Sequence, residues 1–225
     1  MPSPRYETMT AEIANLAALF FDFAPNPLGT YSAVDLTKAA AYTVLTHAEI
    51  ETYFESRISD VVSAAEDFWL SQRRATPSLL SICCFAGDEA NPPAQKPKTD
   101  VWQERIHRSL MKIRGGISNN NGVKTGNIFP LIATLGFDVR NISEDLSTEL
   151  NSFAAMRGDH AHKGASLLGQ VFDPFERQRK VNDITTLIAQ FDDDFSAFFN
   201  SQFGQNYTPP PKLNLLKKLF KKLGL

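Results

Sequence analysis

The feature that most constrains this chain is a spacing of three and four between apolar residues. Ile184, Leu187, Ile188, Phe191, Phe195 and Phe198 form one stripe of a segment that opens at Pro174 and runs to Phe203. Such intervals put side chains on one face of an α-helix, since each residue advances about 100° around the axis. Proline is tolerated in the first helical turn because its missing N–H would have no intrahelical partner there. Nearly every long segment repeats the pattern, and no run alternates apolar and polar residues between turn signals. The expectation is an all-α fold, a helical bundle with inserted loops.

The same reading places a helix over Thr10 to Phe23, stopped by Pro25 and Pro27. A long helix over Ser32 to Gln72 follows, with Ser32 or Asp35 available as its cap and room for a break. Shorter helices are expected over Thr76 to Phe85, where a buried element would enclose the adjacent thiols Cys83 and Cys84, and over Val101 to Ile113. Neighbouring cysteines are too strained for a stabilising disulfide, so both read as buried free thiols. Asn127 to Gly136 reads as a short helix ended by glycine, and Ser143 with Glu144 opens another toward Met156. Gly87 to Asp100 is a linker or surface loop by composition, and Gly115 to Gly126 (GGISNNNGVKTG) a flexible loop. That loop lacks the spacing of a phosphate-cradling P-loop and follows no strand.

With 225 residues, 43% apolar and 21% charged, and seventeen Phe for core material, the chain is expected to form one helical domain over 1–205. Residues 206–225 read as a Pro-rich spacer and a basic amphipathic tail. Met1 to Thr10 lacks the basic start and apolar stretch of a secretory signal, and no long uncharged apolar run follows, so a cytoplasmic location is expected.

The net charge of −2 divides unevenly. Residues 212–225 hold five lysines and no acid, which leaves residues 1–211 at −7. An acidic body argues against a broad nucleic-acid-binding face but not against a small basic pocket. In the tail, Leu213, Leu216, Phe220 and Leu223, with Leu215 and Leu219, line one side and lysines the other. Such a stripe suits a groove on a protein, an anionic membrane surface or, through its charge, RNA. A fourteen-residue helix is marginal alone in water, so it is expected to fold on binding.

The densest group of polar side chains able to do chemistry is Arg157-Gly158-Asp159-His160-Ala161-His162. Imidazole moves a proton near neutral pH, and guanidinium grips phosphate oxygens with paired hydrogen bonds, so Arg157 and His162 suit a phosphodiester without a metal. Asp159 and His160 are supporting candidates. Five residues apart, Arg157 and His162 diverge by about 140° on an ideal helix, and facing one cleft requires a break or start at Gly158. Two other readings stay open: a polar helix end with an Asp159–Lys163 pair, and a metal site on Asp159, His160 and His162, for which no further ligands cluster nearby.

Arg157-x4-His162, after an amphipathic helix bearing Leu150, Phe153 and Met156 and before Lys163-Gly164, resembles the Arg-x4-6-His signature of the HEPN superfamily. Tyr42-Thr43-Val44-Leu45-Thr46-His47-Ala48-Glu49-Ile50-Glu51-Thr52-Tyr53-Phe54 is similar to a His- and Glu-bearing helix in the first half of many HEPN domains. The stretch from Gly126 to Phe137 resembles the RiboL-PSP-HEPN branch. Together these cover roughly residues 30 to 200.

The resemblance implies a helical bundle that pairs with a second copy, so that two motifs line one cleft. It implies cleavage of RNA without metal or other cofactor, by 2′-hydroxyl attack leaving a cyclic phosphate. Arg157 would hold the phosphate and His162 the proton, and DNA, lacking the 2′-OH, would be inert. A toxin or antiviral-defence effector, with an antitoxin as a possible partner, fits such an activity. His47 and Glu51, one turn apart, are either a supporting pair near the cleft or a buried structural pair. The pattern departs from many active relatives in having Gly158 after the arginine. That departure, with the acidic body and the tail, motivates a second reading, a non-catalytic HEPN-like module that senses a nucleotide or scaffolds a larger assembly.

Overall fold

In a computed structural model, residues 1–86, 101–163, 173–205 and Tyr207 are described, with only the backbone described for Val101 and residues 158–163. The described residues form seven α-helices and no strand, an all-α bundle. In chain order these are α1 (Pro4–Phe20), α2 (Ala33–Gln72), α3 (Pro77–Phe85), α4 (Val101–Ser118), α5 (Thr125–Thr134), α6 (Glu144–Lys163) and α7 (Pro174–Phe203). A 3-10 turn, Val139–Asn141, joins α5 to α6.

The helices begin where short polar side chains satisfy the first free amides. Ser32 and Asp35 form a reciprocal capping box at α2, and Ser3, Thr76 and Asp173 cap the three helices that start with Pro4, Pro77 and Pro174. Ser143 Oγ accepts from Leu146 N at 3.2 Å at the head of α6. At forty residues and about 60 Å, α2 is the mast of the bundle, touched by each of the other helices. One continuous core contains Tyr42, Ile50 and Phe54 of α2, Phe153 of α6 and Phe195 of α7 among its largest fully buried side chains.

The N-terminus is fastened into this core by charge. Asp192 on α7, 1% exposed, accepts from the backbone N and Oγ of Ser3, both at 2.6 Å, and from the Tyr53 hydroxyl at 2.8 Å. Arg57 completes the group, with Nε 3.2 Å from Asp192, Nη2 donating to Ser196 Oγ at 2.7 Å, and its guanidinium 5.1 Å from the Phe195 ring centroid. A buried carboxylate is tolerable here because its hydrogen-bonding capacity is met and a cation faces it.

The expected helix over Thr10 to Phe23 instead starts at Pro4 and ends at Phe20, because the Ser3 cap and the Asp192 anchor order the chain six residues earlier. The long helix has no break. Gly115 and Gly116, expected in a loop, lie inside α4, and the connection shortens to residues 119–124. The reason is packing: a Cβ at Gly116 would meet Leu131 Cδ2 of α5 at 3.1 Å, so glycine here admits the neighbouring helix. Only part of α3 is buried, and Cys83 is half-buried while Cys84 is exposed, which corrects the expectation of two buried thiols. The linker 87–100 and the tail beyond Tyr207 lie outside the described residues.

No helix among the described residues is long and apolar enough to cross a membrane.

Candidate functional site

His47, Glu51 and Glu55 follow one another at intervals of four on α2 and so share a face. Across that face lies the loop 119–124. Asn120 Nδ2 donates to Glu55 Oε1 at 2.9 Å and lies 3.3 Å from both Glu51 Oε1 and the Gly122 carbonyl. The Gly122 N–H donates to Glu51 Oε1. Two further bonds hold the loop's ends: Asn127 Nδ2 to the Asn121 carbonyl at 2.9 Å, and Thr125 N to Asn151 Oδ1 of α6 at 3.0 Å. Gly122 takes φ +111°, a backbone conformation that a side chain strains.

That conformation lets the Gly122 backbone lie against His47. A Cβ built on it would sit 3.5 Å from His47 Cε1 and 3.7 Å from Nε2. On its other side the imidazole tilts over Phe153 of α6, with ring centroids 5.8 Å apart. His47 is 2% exposed. Burial, reinforced by the positive charge of Arg157, pushes its pKa from 6.5 down to about 4. The ring is neutral at physiological pH. Its Nδ1 stands 3.7 Å from Glu51 Oε2, too far for a hydrogen bond, and a neutral ring forms no ion pair. Glu51 is satisfied by the loop instead. Burial raises the pKa of Glu55, with Asn120 opposing and Glu51 adding to the rise.

Arg157 lies one turn beyond Phe153 on the same face of α6 and is half-buried. It therefore stands on the side of α6 that carries the His47 contact, and its charge is felt by that ring. Two segments that lie about a hundred residues apart in sequence meet here.

Asp159, His160 and His162 fall within α6, which runs through Gly158 to Lys163 without the break that would turn positions 157 and 162 to one side. The two positions are separated by about 140° around an ideal helix. Their side chains beyond Arg157 lie outside the described residues. His107 sits elsewhere, on α4 in a groove against the end of α2.

Chemically, the described part of this site offers a half-buried guanidinium one turn from Phe153, a neutral imidazole packed on that ring and close enough to feel the guanidinium's charge, and a loop whose shape two carboxylates hold. His47, with its pKa near 4, is a poor base or acid at neutral pH, and its ring packs against Phe153 and the Gly122 backbone. Among the described residues no group of three or more His, Cys, Asp or Glu is placed to hold a metal ion. Sequence reading named His47 and Glu51 but missed Glu55, Asn120 and Gly122. The four-residue repeat of ionisable groups on α2 was the available signal.

Comparison of the chain with protein families, with curated proteins and with solved structures gives no match.

Proposed function

We propose that this protein is a metal-independent endoribonuclease of HEPN type that cleaves RNA by 2′-hydroxyl attack in a cleft shared by two copies. The observation that carries the reading is the packing of His47 on Phe153, one turn before Arg157 on α6, which brings the His47 helix and the motif helix together. Two of the segments that resemble HEPN helices pack together there, and the charge of Arg157 reaches His47, whose ring lies between Phe153 and Gly122; this supports the reading. Arg157 holds the scissile phosphate and stabilises the charge that develops on its oxygens. Since His47 is neutral and buried, proton transfer falls to the segment 159–162, with His162 the assigned group and Asp159 and His160 supporting it. A role as toxin or defence effector, restrained by a separate antitoxin, accords with such an activity.

The reading is tested on single-stranded RNA and the same sequence as DNA, with metal chelated. Wild-type protein is expected to cut RNA alone, leaving 2′,3′-cyclic phosphate ends, and His162→Ala is expected to leave it intact. Equal cutting of DNA, or equal cutting by the variant, rejects it.

A second reading, a non-catalytic nucleotide-sensing or scaffolding module, is favoured by the unbroken course of α6 through Gly158, which separates positions 157 and 162 around the helix axis. It predicts nucleotide or partner binding that depends on Arg157, with no RNA cleavage.

A further inference from the structure

The last two turns of α2 and the first turns of α4 enclose a groove of about 350 Å³. Leu70, Ile106 and Leu110 give it an apolar floor, Trp69 flanks them, and Glu66 and Glu104 stand at the rim. Leu70 is 59% exposed, a large apolar side chain left to water.

The chain leaves the described residues beside this groove. Tyr207 donates its hydroxyl to Asp67 Oδ2 at 2.9 Å and packs its ring on Phe68, centroids 5.4 Å apart. Leu70 lines both the recess around Tyr207 and the groove. The next residues in sequence, Thr208-Pro209-Pro210-Pro211, would reach about 12 Å at roughly 3.1 Å per residue if they took the extended form that prolines favour. Then comes the basic amphipathic segment 212–225. Its Leu216, Phe220 and Leu223 repeat at four and three, the spacing with which Glu66, Trp69, Leu70 and Arg73 present one face of α2.

We propose that residues 212–225 dock in cis as a helix in the groove between α2 and α4, with Leu216, Phe220 and Leu223 against Trp69, Leu70, Ile106 and Leu110. A groove between two helices accepts a third at ordinary packing distance, and burial of the exposed Leu70 together with the tail's own Leu216, Phe220 and Leu223 supplies the driving force, since Ile106 and Leu110 are already buried. Local charge does not attract the tail, because Glu66 already pairs with Arg114 and Glu104 with Arg108, and Arg73 also lines the groove. The wider field does favour the tail: residues 1–211 carry −7 and the tail +5. The anchor at Tyr207 makes docking intramolecular, at an effective concentration in the millimolar range for so short a spacer. That tether selects the chain's own groove over a separate partner.

The test uses the full chain with Cys83→Ser and Cys84→Ser. Gln103→Cys at the groove is paired with Lys217→Cys in the tail, and Asn182→Cys on α7 with Lys217→Cys serves as the distant control. Docking predicts that a short bismaleimide joins 103 to 217 within one chain at least about tenfold faster than it joins 182 to 217. Adding Leu216→Asp and Phe220→Asp is expected to abolish the difference. Equal rates for the two pairs, or joining only between chains, overturns the proposal. So does loss of the 103–217 product when the protein sediments with phosphatidylserine vesicles or binds RNA in preference. An independent measurement is hydrogen exchange: deleting 212–225 is expected to speed exchange in residues 66–73 and 103–110, and unchanged rates there overturn the docking.

Discussion

The backbone of Gly122 lies against the imidazole of His47, close enough that a Cβ on the glycine would be 3.5 Å from Cε1, and the glycine holds φ +111° to do so. Contact at that distance is ordinary, so the strain in a Gly122→Ala variant comes from the backbone angle. The expected loss is about 1–3 kcal/mol of folding stability, read by urea denaturation. Gly126, inside α5 with nothing within 4 Å of the place a methyl group would take, is the control. Gly126→Ala is expected to be neutral or to stabilise by up to about 1 kcal/mol.

Burial and Arg157 lower the pKa of His47 from 6.5 to about 4 in the folded protein. The neutral ring is thus favoured by folding. Its contribution to stability is fully present above pH 6.5 and falls as pH drops from there toward 4, by an amount on the order of 3 kcal/mol. A His47→Gln variant is expected to lose that part of the slope of unfolding free energy against pH. An identical slope in both proteins contradicts the assignment.

Asp192 ties Ser3, Tyr53 and Arg57 together in the core. Asp192→Ala leaves the Arg57 guanidinium, 7% exposed, facing no carboxylate, and is expected to cost about 3–5 kcal/mol. Ser3→Ala removes a cap and one of the two Ser3 bonds and is expected to cost about 0.5–2 kcal/mol. Thermal or chemical denaturation checks both, and a larger loss at Ser3 than at Asp192 contradicts the central place of the carboxylate in that cluster.

Arg157→Lys keeps the charge but loses the planar fork that grips two phosphate oxygens. Its RNA cleavage is expected to fall well below wild type, while its stability stays within about 0.5 kcal/mol because the side chain is only half-buried. Full activity in the lysine variant would show that charge alone suffices.

Much of the fold was legible because its signals are local. The stripe on Pro174–Phe203 and the Ser32 cap give α7 and α2 nearly residue by residue. What stayed hidden depends on partners distant in sequence. Gly115 and Gly116 look like loop residues by type; the approach of Leu131 explains Gly116 inside α4, while nothing in the structure explains Gly115. The early start of α1 at Pro4 depends on Asp192, 189 residues from Ser3. At the candidate site, Arg157 stood out as a motif residue, whereas Asn120 and Gly122 had no signal of their own; their role comes from the carboxylates of Glu51 and Glu55 across the loop.

Everything proposed for the site depends on Arg157 as the group that holds a phosphate beside His47. The most direct measurement compares the rate at which wild-type protein and Arg157→Ala cleave one single-stranded RNA, with circular dichroism and melting temperature recorded on the same samples. Phosphate binding by Arg157 predicts cyclic-phosphate products from wild type and a rate about 10²–10³-fold lower in the variant, with folding unchanged. Equal rates in the two proteins, or no cleavage by the wild type, would contradict it.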